Sequence, residues 1–307
     1  MGGSRGNAVR WPVPSRFTPQ RYLQCVCPAG VFSATRGYLM KTLDTALDIL
    51  RLFITSETLS VGDVCLATGL PKSKVSKLLA VFRDQNMLEQ DPTTRRYKVG
   101  ITAFELGSRY PKSSALARDA LPVLRRIMES SGLSSTMSVM NGDIVLHLMA
   151  VEGPLYAEGH WRVGNRLPAH ATSAGKVLLA GLAKQELRGF LDRNPMTPIT
   201  AATVTDPVVL TDQLEEIRQS GFCVSNGESA PGLVAIAAPV LGGDGKVTAA
   251  IGFVLPLDVF DPAKIPAWVA MLQEGGRDLS MKLGAPAYPY GNAPTQPRSA
   301  SKTLRTA

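Results

Sequence analysis

The chain has 307 residues, of which 45% are hydrophobic and 19% charged, the balance of a globular protein long enough for two domains. It contains no apolar run of roughly 18 residues, and its arginine-rich start lacks the apolar core of a secretory signal. We therefore expect neither a membrane span nor export. The cysteines are few and scattered, which suits a reducing cytoplasm better than a disulfide framework.

The net charge of +8 is unevenly distributed along the chain. Residues 1–40 carry 5 basic and no acidic side chains, residues 41–112 carry 11 and 8, residues 113–281 carry 13 and 17, and residues 282–307 carry 4 and none. A basic N-terminal part beside a larger acidic part favours a nucleic-acid-binding module joined to a second domain.

The first elements form a helical pattern after an irregular start. Residues 1–39 show no sustained hydrophobic period and are predicted to be a disordered extension. Apolar spacing predicts a helix over residues 41–55. Ser60 and Asp63 have the spacing of a capping box at the start of a second helix, and Gly69 suits its left-handed C-terminal cap.

A third helix follows after a tight turn, in the segment LPKSKVSKLLAVFRDQN at residues 70–86. Pro71 suits a first helical position. One apolar stripe then recurs at helical spacing, in Val75, Leu78, Leu79 and Phe82. The opposite face is basic and short-chained, in Lys72, Ser73, Lys74, Ser76 and Lys77. Such a face is either solvated or a recognition surface, and the preceding helix and turn favour a helix-turn-helix that enters the major groove.

A hairpin after this helix predicts the wing of a winged helix. Residues 87–90 and 96–99 are strand candidates around a polar tip. We predict that Ser73, Lys74, Ser76 and Lys77 contact bases or phosphates. The DNA backbone would be held by three further residues, Lys72, Arg95 and Arg96.

The remainder of the chain predicts a linker and a second domain of α+β class. A helix over residues 111–132 forms the linker, with Pro122 as a kink or a second start. Between residues 133 and 284, strands outnumber helices and Asn141-Gly142 indicates a hairpin, so we expect a largely antiparallel sheet covered by helices. A third strand is predicted at Tyr156–Trp161, and residues 285–307 are predicted to be a disordered tail.

Catalytic, metal and cofactor motifs find no support in the sequence. The histidines His147, His160 and His170 lack acids or cysteines at metal-ligand spacing, and Cys25-x-Cys27 has no second pair. The glycine-rich residues 242–245 lie between two strands, where a hairpin turn explains them better than a dinucleotide site. We predict no catalytic residue, no metal and no cofactor.

The sequence resembles the IclR family of bacterial transcriptional regulators. The matching segments occur in family order and are TLDTALDIL (42–50), LPKSKVSKLL (70–79), YKVG (97–100), RVGNRLPAHATSAGK (162–176) and GLVAIAAPV (232–240). The resemblance implies a winged helix-turn-helix domain (40–110), a linker helix (111–132) and a GAF-like α+β effector domain (133–284). It also implies binding to double-stranded operator DNA, dimers or tetramers, and control by a small metabolite, often an organic or aromatic acid.

The resemblance also implies the positions of an effector pocket. They are Tyr156, His170, Ser173, Ala174, Ser225, Glu228, Ala235, Gly252 and Val254. The small residues would leave room for a ring or short chain, and Ser173 and Ser225 could hydrogen-bond a carboxylate. Thr172 or Ser173 could also simply cap a helix. We predict a DNA-binding, metabolite-responsive regulator; the alternatives are an enzyme fused to a winged helix, or a ligand sensor acting through protein contacts.

Overall fold

The computed structural model describes residues 41–154 and 163–291. The predicted extension 1–39, the predicted strand Tyr156–Trp161 and residues 292–307 of the predicted tail lie outside the described residues. Within the two described ranges, every helix is too short or too polar to cross a bilayer.

The N-terminal elements form a winged helix-turn-helix. They are α1 (Lys41–Leu52), α2 (Val61–Thr68), α3 (Lys72–Asp84), β1 (Leu88–Gln90) and β2 (Tyr97–Val99). Their apolar faces meet in one core of Ile49, Phe53, Val64, Val75, Leu79, Leu88 and Tyr97. The strands pair antiparallel, and Leu59 bridges to Tyr97 to bind the hairpin to the chain before α2.

Local capping chemistry sets the limits of α2, as predicted. The Ser60 hydroxyl accepts from the Asp63 N–H at 3.1 Å, and the Asp63 carboxylate accepts from the Ser60 N–H at 2.9 Å. Gly69 ends the helix with φ 68°, a conformation that costs glycine little because it has no Cβ. The turn at Gly69, Leu70 and Pro71 then leads into α3.

Three helices lead from the wing to the second domain. They are α4 (Ile101–Gly107), α5 (Tyr110–Ser113) and α6 (Ala115–Ser131). Ser114 caps α6, and Gly132 ends it in a left-handed conformation. Pro122 lies inside α6, and the helix continues through it rather than restarting.

The described residues of the second domain form a six-stranded antiparallel sheet in the order β5-β4-β3-β8-β7-β6. The strands are β3 (Ser135–Asn141), β4 (Ile144–Val151), β5 (Arg166–Pro168), β6 (Cys223–Asn226), β7 (Leu233–Leu241) and β8 (Val247–Pro256). The predicted Asn141-Gly142 turn joins β3 to β4. This sheet and its helices confirm the predicted α+β class.

Helices cover both faces of the sheet and create two cores. On one face, α6 and α10 (Ile265–Lys282) pack against β3, β7 and β8. On the other lie α7 (Ser173–Ala180), α8 (Lys184–Arg193) and α9 (Pro207–Ser220). Because side chains alternate along a strand, each of β7 and β8 contributes to both cores.

Three predictions differ from the structure. The linker, predicted as one helix over residues 111–132, is divided at Ser114 into α5 and α6. Residues 166–168, for which no strand is predicted from the sequence, form the edge strand β5 against β4. The start of the predicted disordered tail is packed: Ala285 and Tyr288 are buried against Leu241, and the Tyr288 hydroxyl donates to the Pro239 carbonyl at 3.0 Å. The tail is ordered here because the aromatic ring of Tyr288 buries its apolar area against Leu241.

Candidate functional sites

The polar face of α3 is open to solvent. Lys72, Ser73 and Lys77 are exposed, whereas Lys74 and Ser76 are half-buried. In the part of the chain that the structure describes, none of the three lysines takes part in an ion pair. Their charge is therefore available to an external polyanion, next to the positive end of the helix dipole.

The two wing arginines have different environments. Arg95 is exposed at the hairpin tip, with φ 58°. Arg96 turns back into the protein: its Nε donates to the Thr58 hydroxyl at 2.9 Å, and its Nη2 donates to the Asp63 carboxylate at 2.8 Å. The hydrogen bond from the Ser60 N–H, helped by Arg96, holds the pKa of Asp63 below its usual value. Arg96 therefore anchors the wing to α2, which leaves Arg95 as the projecting cation.

A cavity of about 90 Å³ lies between the start of α7 and the sheet. Six of the predicted effector positions line it, namely Ser173, Ala174, Ser225, Ala235, Gly252 and Val254. Among the described residues that line it, none carries a charged side chain. The polar groups are hydroxyls, an amide and an imidazole, so the cavity offers hydrogen bonds rather than a salt bridge.

Small residues on one face of β7 and β8 create this space. Ala235, Ala237 and Gly252 face α7, while the larger Ile236 and Phe253 point to the opposite core. A Cβ added to Gly252 would lie 2.4 Å from the Ile236 carbonyl oxygen. Only glycine therefore fits that position without a shift of the backbone.

The N-terminus of α7 forms the opposite wall of the cavity. The Thr172 hydroxyl caps the helix by accepting from the Gly175 N–H at 3.0 Å. The N–H groups of Ser173 and Ala174 lie in the first turn, where no carbonyl four residues earlier belongs to the helix. The positive end of the helix dipole adds to them. This wall is suited to an anion.

The other three predicted effector residues are not among the described residues that line the cavity. Tyr156 lies outside the described residues. His170 is buried behind the wall, with its Nε2 3.1 Å from the Thr197 carbonyl oxygen, and burial lowers the pKa of its imidazole. Glu228 is also buried, and its carboxylate is bound to Lys176.

Lys176 and Glu228 form a buried ion pair behind the cavity. Lys176 is 1% exposed, and its Nζ lies 2.7 and 2.6 Å from the two carboxylate oxygens of Glu228. The same Nζ donates to Oε1 of Gln213 on α9 at 2.9 Å. Lys176 belongs to the helix of one cavity wall, and Glu228 lies beside Ser229 of another. The pair therefore ties the walls together without contacting the cavity.

Several other lining residues were not predicted from the sequence. They include Thr136, His147, Asn165, Thr172 and Ser229. Burial lowers the pKa of His147 to about 4, so its imidazole is neutral near pH 7. The alternation of side chains along β4 could have placed His147 on the side of the sheet that faces α7. The sequence does not indicate, however, that Ser138 on β3 is the hydrogen-bond partner of its imidazole.

Two family models match the chain. The IclR helix-turn-helix domain matches residues 42–92, and the bacterial transcriptional regulator IclR C-terminal domain matches residues 108–281. The transcriptional regulator BhcR of Paracoccus denitrificans is 32% identical over 255 residues, covering 83% of this chain and 91% of that protein. The regulator XynR of Escherichia coli is 30% identical, covering 81% of this chain and 99% of XynR.

Solved structures show the same architecture. The Thermotoga maritima IclR structure aligns with a TM-score of 0.64 at 26% identity, covering 80% of this chain and 99% of that one. An IclR homologue from Microbacterium hydrocarbonoxydans, crystallised in complex with 4-hydroxybenzoate, aligns with a TM-score of 0.69 at 25% identity. That alignment covers 79% of this chain and 98% of the homologue.

Proposed function

Because this chain belongs to the IclR family of bacterial transcriptional regulators, we propose that it binds an operator through α3 and the wing, under the control of a small carboxylic acid in the cavity beneath α7. The observation that carries the proposal is the pairing of an exposed basic helix face with a separate small cavity in one chain. Neither feature alone distinguishes a regulator from other proteins.

The DNA-binding part of the proposal rests on the exposed cations. The exposed cations are Lys72 and Lys77, in the first two turns of α3, and Arg95, at the tip of the wing. Operator fragments selected from genomic DNA by the purified protein would supply the duplex, and fluorescence anisotropy would supply its affinity. Replacing Lys72 with alanine should weaken binding to all sequences and reduce the salt dependence, because this lysine would contact phosphate. An unchanged salt slope would remove Lys72 from the interface.

The effector part of the proposal rests on the start of α7. A carboxylate would accept from the N–H groups of Ser173 and Ala174, as anions do at helix N-termini. The remainder of the ligand would lie over Ala235 and Gly252. Support comes from the Microbacterium homologue, which binds the carboxylic acid 4-hydroxybenzoate. A thermal-shift screen should find stabilisation by small monocarboxylic acids; stabilisation by amines alone would contradict an anion site.

Ligand binding must change the DNA-bound arrangement through the linker. α6 packs against α10, where Gly275 admits Ile127 and Val123 to close contact, and Arg126 pairs with Asp278. α10 in turn packs on β7, whose other face lines the cavity. A ligand can control operator binding only if it favours one arrangement of these elements over another.

A second copy of the chain would complete the DNA-binding unit. Ile101, Phe104 and Leu106 on α4 and Tyr110 on α5 are exposed apolar side chains. We propose that they pack against a partner, giving a dimer, or a tetramer of two dimers, that places two α3 helices on one pseudo-palindrome. Light scattering should report such an assembly, and replacing Phe104 with serine should weaken it.

The protein would act in the cytoplasm, as a regulator rather than an enzyme. Within the described ranges, no group of three or more His, Cys, Asp or Glu residues could hold a metal ion. Incubation with each acid that stabilises the protein should leave the acid chemically intact. Turnover of any such acid would favour the alternative of an enzyme fused to a winged helix.

A further inference from the structure

Among the described side chains that line the cavity, His147 is the one whose ring nitrogens can donate or accept a hydrogen bond. His147 lies on β4 and is 5% exposed. Its Nδ1 is 2.8 Å from the hydroxyl of Ser138, its cross-strand neighbour on β3. In the described part of the chain, its Nε2 has no hydrogen-bond partner. That nitrogen belongs to a side chain that borders the cavity.

The partner of Nδ1 determines the role of Nε2. Ser138 is fully buried, and its hydroxyl has no other acceptor among the described residues. If Nδ1–H donated to Ser138, the buried hydroxyl proton would be left without an acceptor, which is costly. The hydroxyl therefore donates to Nδ1, and a neutral imidazole then carries its proton on Nε2. The low pKa of His147 supports the neutral form.

We propose that His147 is a specificity-determining residue, whose Nε2–H donates a hydrogen bond to a carbonyl or hydroxyl oxygen of the effector. The cavity then selects oxo- or hydroxy-substituted carboxylic acids over the corresponding unsubstituted acids. This inference rests on the proposed function, because it assumes that the carboxylate is held at the start of α7.

The strand order places His147 away from the other end of the cavity. Ser225 lies on β6, and the strands β7, β8 and β3 separate it from β4. Because neighbouring strands are about 4.8 Å apart, one oxygen atom cannot contact both Ser225 and His147. The oxygen that His147 recognises therefore belongs to a different part of the ligand from any group held by Ser225.

Calorimetric titration with matched pairs of acids tests the inference. The probes are benzoate with 4-hydroxybenzoate, and pentanoate with 4-oxopentanoate. The intact protein should bind at least one oxygenated acid about threefold to tenfold more tightly than its partner, the range of one net hydrogen bond. His147→Phe should abolish this preference, whereas His147→Gln, which keeps an N–H donor, should retain part of it.

Ser138→Ala supplies an independent variant that leaves the imidazole in place. Without the Ser138 hydroxyl, the imidazole can carry its proton on either nitrogen. The preference for the oxygenated acid should therefore fall without disappearing. A preference of unchanged size in His147→Phe, or no preference in the intact protein, would overturn the role of His147 alone. Failure of the intact protein to bind any of the four acids would overturn the proposed carboxylic-acid effector, and this inference with it. If His147→Phe lacks a cooperative unfolding transition, His147→Gln and Ser138→Ala decide the result.

Discussion

Replacement of Lys176 by methionine should destabilise the effector domain strongly. The Nζ of Lys176 lies 2.6 and 2.7 Å from the carboxylate oxygens of Glu228, and the side chains are 2% and 9% exposed. Removing the cation leaves a buried carboxylate without its partner, which costs about 3–5 kcal/mol. That loss is large beside a total stability of about 5–15 kcal/mol. Urea denaturation followed by circular dichroism would measure it.

Two further variants separate charge burial from the loss of packing. The double variant Lys176→Met with Glu228→Leu removes both charges and should recover most of the lost stability, because a packed apolar pair replaces the ions. Arg193→Met breaks the exposed pair with Asp143 and should cost less than about 1 kcal/mol. A Lys176→Met variant within about 1 kcal/mol of the intact protein would refute the description of Lys176 and Glu228 as an enclosed pair.

Three more perturbations test the cavity and its surroundings. Folding lowers the pKa of His147 from 6.5 to about 4, so the unfolded state binds the proton more tightly. About 2 kcal/mol of the free energy of unfolding should therefore be lost between about pH 7 and pH 5. Urea midpoints measured over this range should fall less for His147→Gln than for the intact protein. Gly252→Ala should cost about 1–3 kcal/mol in the same titration, since its Cβ meets the Ile236 carbonyl. Ala235→Leu should fill the cavity and reduce the response to effector, while operator binding by the unliganded protein persists. If anisotropy assays show that the effector response and operator binding are lost together, Ala235 belongs to the structural core and not to the effector site.

Structural features that depend on residues close together in the sequence were predictable. The capping box of Ser60 and Asp63 and the left-handed cap at Gly69 need only a few adjacent residues, and the structure confirms them. The edge strand β5 was missed because three residues are too short to show an alternating pattern.

Contacts between distant segments were not predictable. Glu228 was expected to face a ligand, but its partner Lys176 lies 52 residues earlier, and nothing in the sequence pairs them. Likewise, the interaction of Arg96 with Asp63 depends on how the wing folds against α2. The small residues Ala235 and Gly252 were anticipated through the family resemblance, and alternation along β7 and β8 explains why they share one face.

Operator affinity of a Lys77→Ala variant tests the central claim most directly. Lys77 is exposed on α3, and Lys184→Ala provides a matched control because Lys184 is exposed on α8 of the other domain. With the selected operator, Lys77→Ala should weaken binding by about 1–3 kcal/mol if the lysine contacts a base, while Lys184→Ala should leave it unchanged. Equal affinity for the intact protein and the Lys77 variant would contradict the assignment of α3 as the DNA-recognition helix.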